Sequence, residues 1–312
     1  MLLAIAAVAF GVLLLAYAAD QFVIGAAALA RLLRVPAVVV GVVVVGFGTS
    51  APELLVSLLA AGQGRVEVAA GNVLGSNLAN LSLLLGIGAL ITPLTVTSGV
   101  VRREAPLALV ATGGLGLAMQ VPNRLLGALL VAAMVIVVVV LLKSAMSGRD
   151  PVGLELDDLV TPAVRTTRVE VLRTGLGLVG TLAGAQALLW GALDLAGRAG
   201  LSEGFVGLTM VAVGTSLPEL VTVVQSARRH ETDLVLGNLL GSNLFNALFV
   251  GGLAMTVEPA LVDDVSVRVT AVIAATVCSV IVWWFLHTGR RVSRVEAVAL
   301  IVGYFAVVPV FV

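Results

Sequence analysis

Apolar residues run along this chain in long blocks broken by short polar interruptions, and those blocks set the expected architecture. A membrane-spanning helix needs about 20 mostly apolar residues, more if it is tilted. Ten stretches qualify: 2–30, 36–61, 67–92, 104–120, 125–142, 170–197, 203–227, 233–257, 267–286 and 295–311. The longest polar stretch, 143–168, carries Lys143, Arg149, Asp150, Glu155, Asp157, Asp158, Arg165 and Arg168. It is too short to be a folded domain and reads as a linker between a first half, 1–142, and a second, 169–312, of five spans each. The pattern predicts an all-α integral membrane protein with ten transmembrane helices.

Composition agrees and removes other classes. Of the 312 residues, 60% are hydrophobic and 12% charged, against about a quarter charged in an ordinary globular protein. The mean hydropathy is +1.13. A soluble fold of this length could not cover its surface with so few charges. The formal net charge is zero, so no basic face for nucleic acid is implied. Cys278 stands alone, which excludes an internal disulfide and a thiolate metal cluster. His230 and His287 lie among charges at segment ends, leaving no histidine for chemistry at membrane depth. Ala16-Tyr17-Ala18 mimics a signal-peptidase site, but no Lys or Arg precedes the apolar run, so a retained first span is expected.

The basic residues predict orientation. Arg31, Arg34, Arg102, Arg103, Lys143, Arg149, Arg165, Arg168, Arg173, Arg228, Arg229, Arg290, Arg291 and Arg294 fall on one side of the ten-span scheme, and Arg65, Arg124, Arg198 and Arg268 on the other. Positive charge is retained on the cytoplasmic side. Both termini are therefore expected outside and the linker inside, in a multi-pass protein of the cell membrane.

The polar residues within the spans repeat at a constant offset of 166. Gly48-Thr49-Ser50-Ala51-Pro52-Glu53-Leu54 returns as Gly214-Thr215-Ser216-Leu217-Pro218-Glu219-Leu220. Gly71-Asn72-Val73-Leu74-Gly75-Ser76-Asn77-Leu78-Ala79-Asn80 returns as Gly237-Asn238-Leu239-Leu240-Gly241-Ser242-Asn243-Leu244-Phe245-Asn246. Shared Thr, Ser, Pro, Glu and Asn are not what apolar bias produces. With an odd number of spans per half, the second copy enters the membrane inverted. Inverted repeats with interrupted helices and a midplane site are the pattern of secondary transporters.

Glu53 and Glu219 lie deep in their spans, where a carboxylate costs at least a few kcal/mol unless it faces protein or water. Pro52 and Pro218 cannot donate to the carbonyls of Gly48 and Gly214, so both helices should open at Gly-Thr-Ser and free carbonyl oxygens. Thr49 with Glu53, Thr215 with Glu219, Ser76 with Asn80, and Ser242 with Asn246 are each four residues apart and can share a helix face. The donors converging on one site are then two carboxylates, four hydroxyls (Thr49, Thr215, Ser76, Ser242), two amide oxygens and several carbonyls. All are hard oxygen ligands of the kind Ca²⁺ takes six to eight of, whereas Zn²⁺ or Cu⁺ would want His or Cys. Two carboxylates balance one Ca²⁺ or two monovalent cations. Emptied, the pocket would carry two buried charges through low dielectric, which favours exchange over one-way transport.

Plainer roles compete. Asn72 and Asn238 suit helix packing or capping as well as a site, and Asn77 and Asn243, one step off the proposed face, suit structural roles. Asp20, whose repeat partner is Gln186, fits a gate or a helix-pairing residue. Asp194 reads as interfacial, and Cys278, Trp283 and Trp284 as lipid-facing or interfacial. Gly46-Phe47-Gly48 mimics part of a dinucleotide fingerprint without the βαβ unit that would give it meaning.

The paired Gly-Thr-Ser-x-Pro-Glu and Gly-Asn-x-x-Gly-Ser-Asn motifs resemble the α-repeats of the cation/calcium exchanger superfamily, most closely its prokaryotic sodium/calcium exchanger branch. The resemblance covers essentially the whole chain. It implies that Glu53 and Glu219 are shared carboxylates of a central cation cluster and that Thr49 and Thr215 give oxygens to calcium and sodium. Ser50, Ser76, Ser216 and Ser242 would complete flanking sodium sites with backbone carbonyls near Gly46 and Ala212. Asn80 and Asn246 match positions where some relatives carry an aspartate, so potassium co-transport is not expected. The resemblance also implies that the first and sixth spans slide over a fixed core; Gly11, Gly25 and the glycine-rich stretch 175–184 are compatible with that motion. The expected function is Ca²⁺/Na⁺ antiport by alternating access, with H⁺/Ca²⁺ antiport on the same site or a cation channel as alternatives. No cofactor and no enzymatic activity are expected; an intramembrane protease would need a Ser–His pair or two aspartates at depth. The partners are membrane lipid and the transported ions, and a monomer suffices because one chain holds both halves.

Overall fold

An apolar run free of proline propagates as one helix, and Leu2–Leu32 does so as α1. The structure, a computed structural model, describes residues 1–33, 48–96, 103–146 and 166–311. The helices that follow in the described residues are α2 (Ala51–Gly62), α3 (Val66–Ile91), α4 (Ala105–Ala118), α5 (Arg124–Met146), α6 (Thr167–Ala199), α7 (Glu203–Thr215), α8 (Leu217–Arg228), α9 (Thr232–Val257), α10 (Ser266–Gly289) and α11 (Arg294–Val307). Their ends follow residue chemistry. Gly200 closes α6 in the left-handed region at φ 69°. Ser293 and Glu296 open α11 as a reciprocal capping box. A two-residue antiparallel bridge, β1 (Leu94–Thr95) with β2 (Arg291–Val292), ties the chain after α3 to the chain before α11.

Seven helical spans among the described residues are long and apolar enough to cross a membrane: α1, α3, α5, α6, α9, α10, and α11 extended to Phe311. The pair α7 and α8, bent by 47° at Ser216, makes an eighth if counted as one span. Helices α2 and α4 are shorter. The first part of the expected second span and most of the linker lie outside the described residues. Large apolar side chains such as Leu13, Leu117, Ile136, Leu176 and Trp284 stand exposed on the outer faces. Such continuous apolar exposure suits lipid rather than water.

Helices α3 and α9 are buried on most sides and form the centre. Helix α1 instead packs along α6, and small residues set that approach. A Cβ on Gly11 would come within 2.5 Å of Leu188 N, one on Gly177 within 2.5 Å of Phe22 N, and one on Gly184 within 2.7 Å of Leu15 N. The obstacles are backbone atoms, which cannot rotate away, so only glycine allows this spacing. Glycines of the repeat do the same work between α3 and α7. A Cβ on Gly71 would meet Gly204 O at 2.7 Å, and one on Gly75 would meet Leu208 O at 2.4 Å.

One sequence expectation is corrected here. Cys278 is buried in the core rather than turned to lipid, and Trp283 packs against that core and stacks on His287 at 5.3 Å. Uniform apolarity along α10 carries no phase, so sequence could not tell its inner face from its outer one. Trp284 is exposed as expected.

Candidate functional site

Both Gly-Thr-Ser-x-Pro-Glu segments put their serine at a helix start with nearly the same backbone: Ser50 at φ −88°, ψ 11° and Ser216 at φ −82°, ψ 10°. Each proline falls in the first turn of the following helix, where its missing N–H has no partner to lose. The break expected from the sequence is therefore present at Ser216, between α7 and α8, and Ser50 begins α2 in the same way. Glu53 and Glu219 sit one turn in and are fully buried.

The two segments brace each other. Ser216 Oγ donates to Glu53 Oε1 at 3.0 Å, and Ser50 Oγ donates to Glu219 Oε1 at 3.1 Å. Residues 166 apart thus make the same bond in opposite directions. Ser242 Oγ on α9 also donates to Glu219 Oε1, at 3.4 Å. On the other side Thr215 Oγ1 lies 3.2 Å from Asn72 Oδ1 and 3.1 Å from the Ala212 carbonyl, two acceptors between which its single hydrogen is shared. Asn72 Nδ2 reaches Ser57 Oγ at 2.9 Å and the Glu53 carbonyl at 3.3 Å. Asn72 therefore joins α2, α3 and α7, whereas Asn238 Nδ2 has no partner among the described residues.

Ser76, Asn80, Ser242 and Asn246 are all buried, and Ser76 and Ser242 reach the cluster through the Ala212 carbonyl and Glu219 Oε1. Asn80 and Asn246 each begin a π-helical turn, Asn80–Leu84 in α3 and Asn246–Val250 in α9. Such turns concentrate at functional sites because the extra residue re-aims the side chains around it. Nothing in the sequence signalled them except the offset itself.

The carbonyl expectation needs correction. The Gly48 carbonyl accepts from Ala51 N at 3.1 Å. The Ala212 carbonyl accepts from Ser216 N, from Thr215 Oγ1, and from Ser76 Oγ at 3.5 Å. At Gly48 a tighter turn supplies the donor that Pro52 lacks, whereas Ala212 lies one turn before Ser216 and loses no donor to proline. Gly46 lies outside the described residues. Thr49 is part-buried, with its hydroxyl oxygen inside. Asp20 is not part of this cluster: its side chain accepts from Gln21 Nε2 at 3.0 Å and is exposed. Its repeat partner Gln186 accepts from Gln63 Nε2 at 3.1 Å. Asp194 holds Arg198 on the same helix at 2.6 Å.

What remains is a set of buried oxygens with no hydrogen-bond partner among the described residues: Glu53 Oε2, Glu219 Oε2, Thr49 Oγ1, Asn80 Oδ1 and Asn246 Oδ1. Unsatisfied buried acceptors are costly, and two carboxylates more so. Each carboxylate has one oxygen tied to serine and one left over. Two carboxylate oxygens, two amide oxygens and one hydroxyl are hard ligands of the kind Ca²⁺ and Na⁺ take.

The profile of the family described as sodium/calcium exchanger protein matches residues 3–143 and 170–312, both halves around the linker. The chain belongs to that family. CaxA of Alkalimonas amylolytica is 38% identical to it over 311 residues, covering 97% of each chain. The sodium/calcium exchanger MaX1 of Methanosarcina acetivorans is 29% identical over 332 residues, covering 95% of each. Among solved structures, the sodium-calcium exchanger NCX_Mj superposes with a TM-score of 0.66 at 24% identity, over 99% of this chain and 98% of that one, so the fold is shared. The family is one of membrane transporters, which places this exchanger chain with cation/Ca²⁺ antiport.

Proposed function

We propose that the protein exchanges Ca²⁺ for Na⁺ across the cell membrane by alternating access, at a site centred on Glu53 and Glu219. The observation that carries this reading is the set of orphaned buried oxygens around two cross-braced carboxylates. In this reading Thr49, Thr215, Ser50, Ser216, Ser76, Ser242, Asn80 and Asn246 supply the surrounding hydroxyls and amides; the carbonyls near Gly46 and Ala212, which the family resemblance adds, belong to the same proposal. The architecture in this reading is two inverted five-helix repeats, 1–142 and 169–312, joined by the cytoplasmic linker 143–168. The reciprocal Ser50–Glu219 and Ser216–Glu53 bonds support a two-fold relation between the halves. One chain contains both halves of the site, so a monomer suffices.

The choice of Na⁺ rests on ligand chemistry. A proton exchanger needs only carboxylates that titrate, whereas hydroxyl and amide oxygens are useful to Na⁺, which like Ca²⁺ prefers hard oxygen. Protons still compete, because Glu53 and Glu219 must be ionised to hold either cation. The expected result in proteoliposomes is Ca²⁺ uptake driven by an outward Na⁺ gradient at clamped pH, with acidification inhibiting it. Uptake driven by a pH gradient without Na⁺, and not by Na⁺, would replace the counter-ion and leave the calcium assignment standing. Ca²⁺ flux needing no counter-ion would instead indicate a channel. With more than two Na⁺ per Ca²⁺ the two loads differ in charge, and uptake then responds to membrane potential.

Orientation follows from the basic residues, fourteen of 18 on the linker side. Gly148→Cys in a Cys278→Ser background is expected to react with an impermeant thiol reagent only from the cytoplasmic side. Labelling from outside would reverse the topology.

A further inference from the structure

Two side-chain amides face each other between α3 and α9, and backbone groups set their polarity. Asn243 Nδ2 donates to the Asn77 carbonyl at 2.9 Å, and Asn77 Nδ2 donates to the Asn243 carbonyl at 3.1 Å. Asn77 Nδ2 also lies 3.4 Å from Thr112 Oγ1. A backbone carbonyl only accepts, so each amide must turn its nitrogen to it and hold its oxygen on the opposite side. Asn243 Oδ1, so directed, accepts from Asn80 Nδ2 at 3.0 Å. This fixes Asn80 in turn: its nitrogen is taken by Asn243, and its Oδ1 is buried without a partner among the described residues. The chain of polarity runs from the Asn77 carbonyl through Asn243 to the oxygen of Asn80.

For a cation the two ends of an amide are opposites. The oxygen carries the negative end of the dipole and attracts it; the NH₂ group repels it. An asparagine free to flip would present the wrong end for part of the time. The equivalent bond in the other repeat is not made here: Asn77 Oδ1 and both amide atoms of Asn246 lack partners among the described residues. The fixed orientation is thus specific to Asn80.

We propose that Asn243 is a positioning residue that holds Asn80 oxygen-first towards the cation pocket, an inference that rests on Asn80 belonging to the proposed cation site. The test is Ca²⁺ titration calorimetry on the purified full-length protein. Asn243→Ala is expected to weaken Ca²⁺ binding by about five- to tenfold, the scale of the one neutral hydrogen bond that holds the Asn80 amide. A carboxylate has no wrong end. In an Asn80→Asp background Asn243 Oδ1 faces a carboxylate oxygen with no hydrogen between them, so the same Asn243→Ala change should cause no loss of affinity relative to Asn80→Asp alone, a double-mutant coupling. An equal loss in both backgrounds would mean that Asn243 only clamps the helices together, and would overturn the proposal. So would unchanged binding in the single variant. Should Asn243→Ala not remain monodisperse, Asn243→Ser, too short to reach Asn80, is expected to show the same background dependence, and equal losses there would overturn the proposal too. Absence of Ca²⁺ binding by the unsubstituted protein would strike the cation-site reading itself, an outcome separate from either result above.

Discussion

Glu53→Gln and Glu219→Gln are each expected to abolish Ca²⁺ exchange while leaving a folded, monodisperse protein. Glutamine keeps the shape and an acceptor oxygen, so the bonds from Ser216 to position 53 and from Ser50 to position 219 survive. Only charge is lost. A dehydrated divalent ion then faces one carboxylate instead of two, and removing one partner of a buried pair costs about 3–5 kcal/mol, roughly a hundredfold to several thousandfold in affinity. Two measurements check this. Flux in proteoliposomes should fall to background. Stabilisation of the purified protein by added Ca²⁺ should disappear, since a ligand raises the melting temperature only when it binds the folded state. Without Ca²⁺ the variants should melt no lower than the parent, because a neutral amide is cheaper to bury than a carboxylate. Near-normal flux in either variant would sink the shared-site reading.

Gly184→Leu is expected to separate α1 from α6 and to cost both stability and transport. The new Cβ would lie 2.7 Å from Leu15 N, 2.9 Å from Leu15 Cα and 3.0 Å from Gly11 O. These are backbone atoms of the facing helix, so the helices must move apart. Overpacking of this kind typically costs about 1–3 kcal/mol. Gly175→Leu provides the control on the same helix, since a Cβ there meets nothing within 4 Å. Thermal unfolding in detergent should distinguish them, with Gly184→Leu melting clearly lower and Gly175→Leu close to the parent. Equal melting of the two would mean that the close glycine seam does not govern the α1–α6 spacing.

The same comparison of glycines shows where sequence reading reaches its limit. Gly75 and Gly241 occupy one position of the repeat, yet a Cβ on Gly75 would meet Leu208 O at 2.4 Å while one on Gly241 meets nothing within 4 Å among the described residues. A repeated residue need not have a repeated contact. Asn72 and Asn238 differ likewise: the first links three helices, and the second leaves its Nδ2 unpartnered among the described residues. The offset identifies equivalent positions. The conformation decides which of the two is engaged.

Sequence alone determined the membrane class, the approximate limits of the long helices and the helix start at each Pro-Glu pair, and it singled out the oxygen-bearing residues on which the proposed site rests. These follow from local rules: apolar run length, proline's missing donor, and the cost of a carboxylate at membrane depth. Only the tertiary structure decided how the pieces meet. It crossed the serines so that each bonds the glutamate of the other segment, gave the Gly48 carbonyl a donor in place of the one Pro52 lacks, and turned Cys278 inward. It also started π-turns at Asn80 and Asn246 and fixed the amide end that Asn80 presents. The crossed serine–glutamate bonds, the burial of Cys278 and the Asn80–Asn243 bond depend on atoms brought together from far along the chain, and a hydrogen bond is set by the position of its partner, which no local pattern encodes.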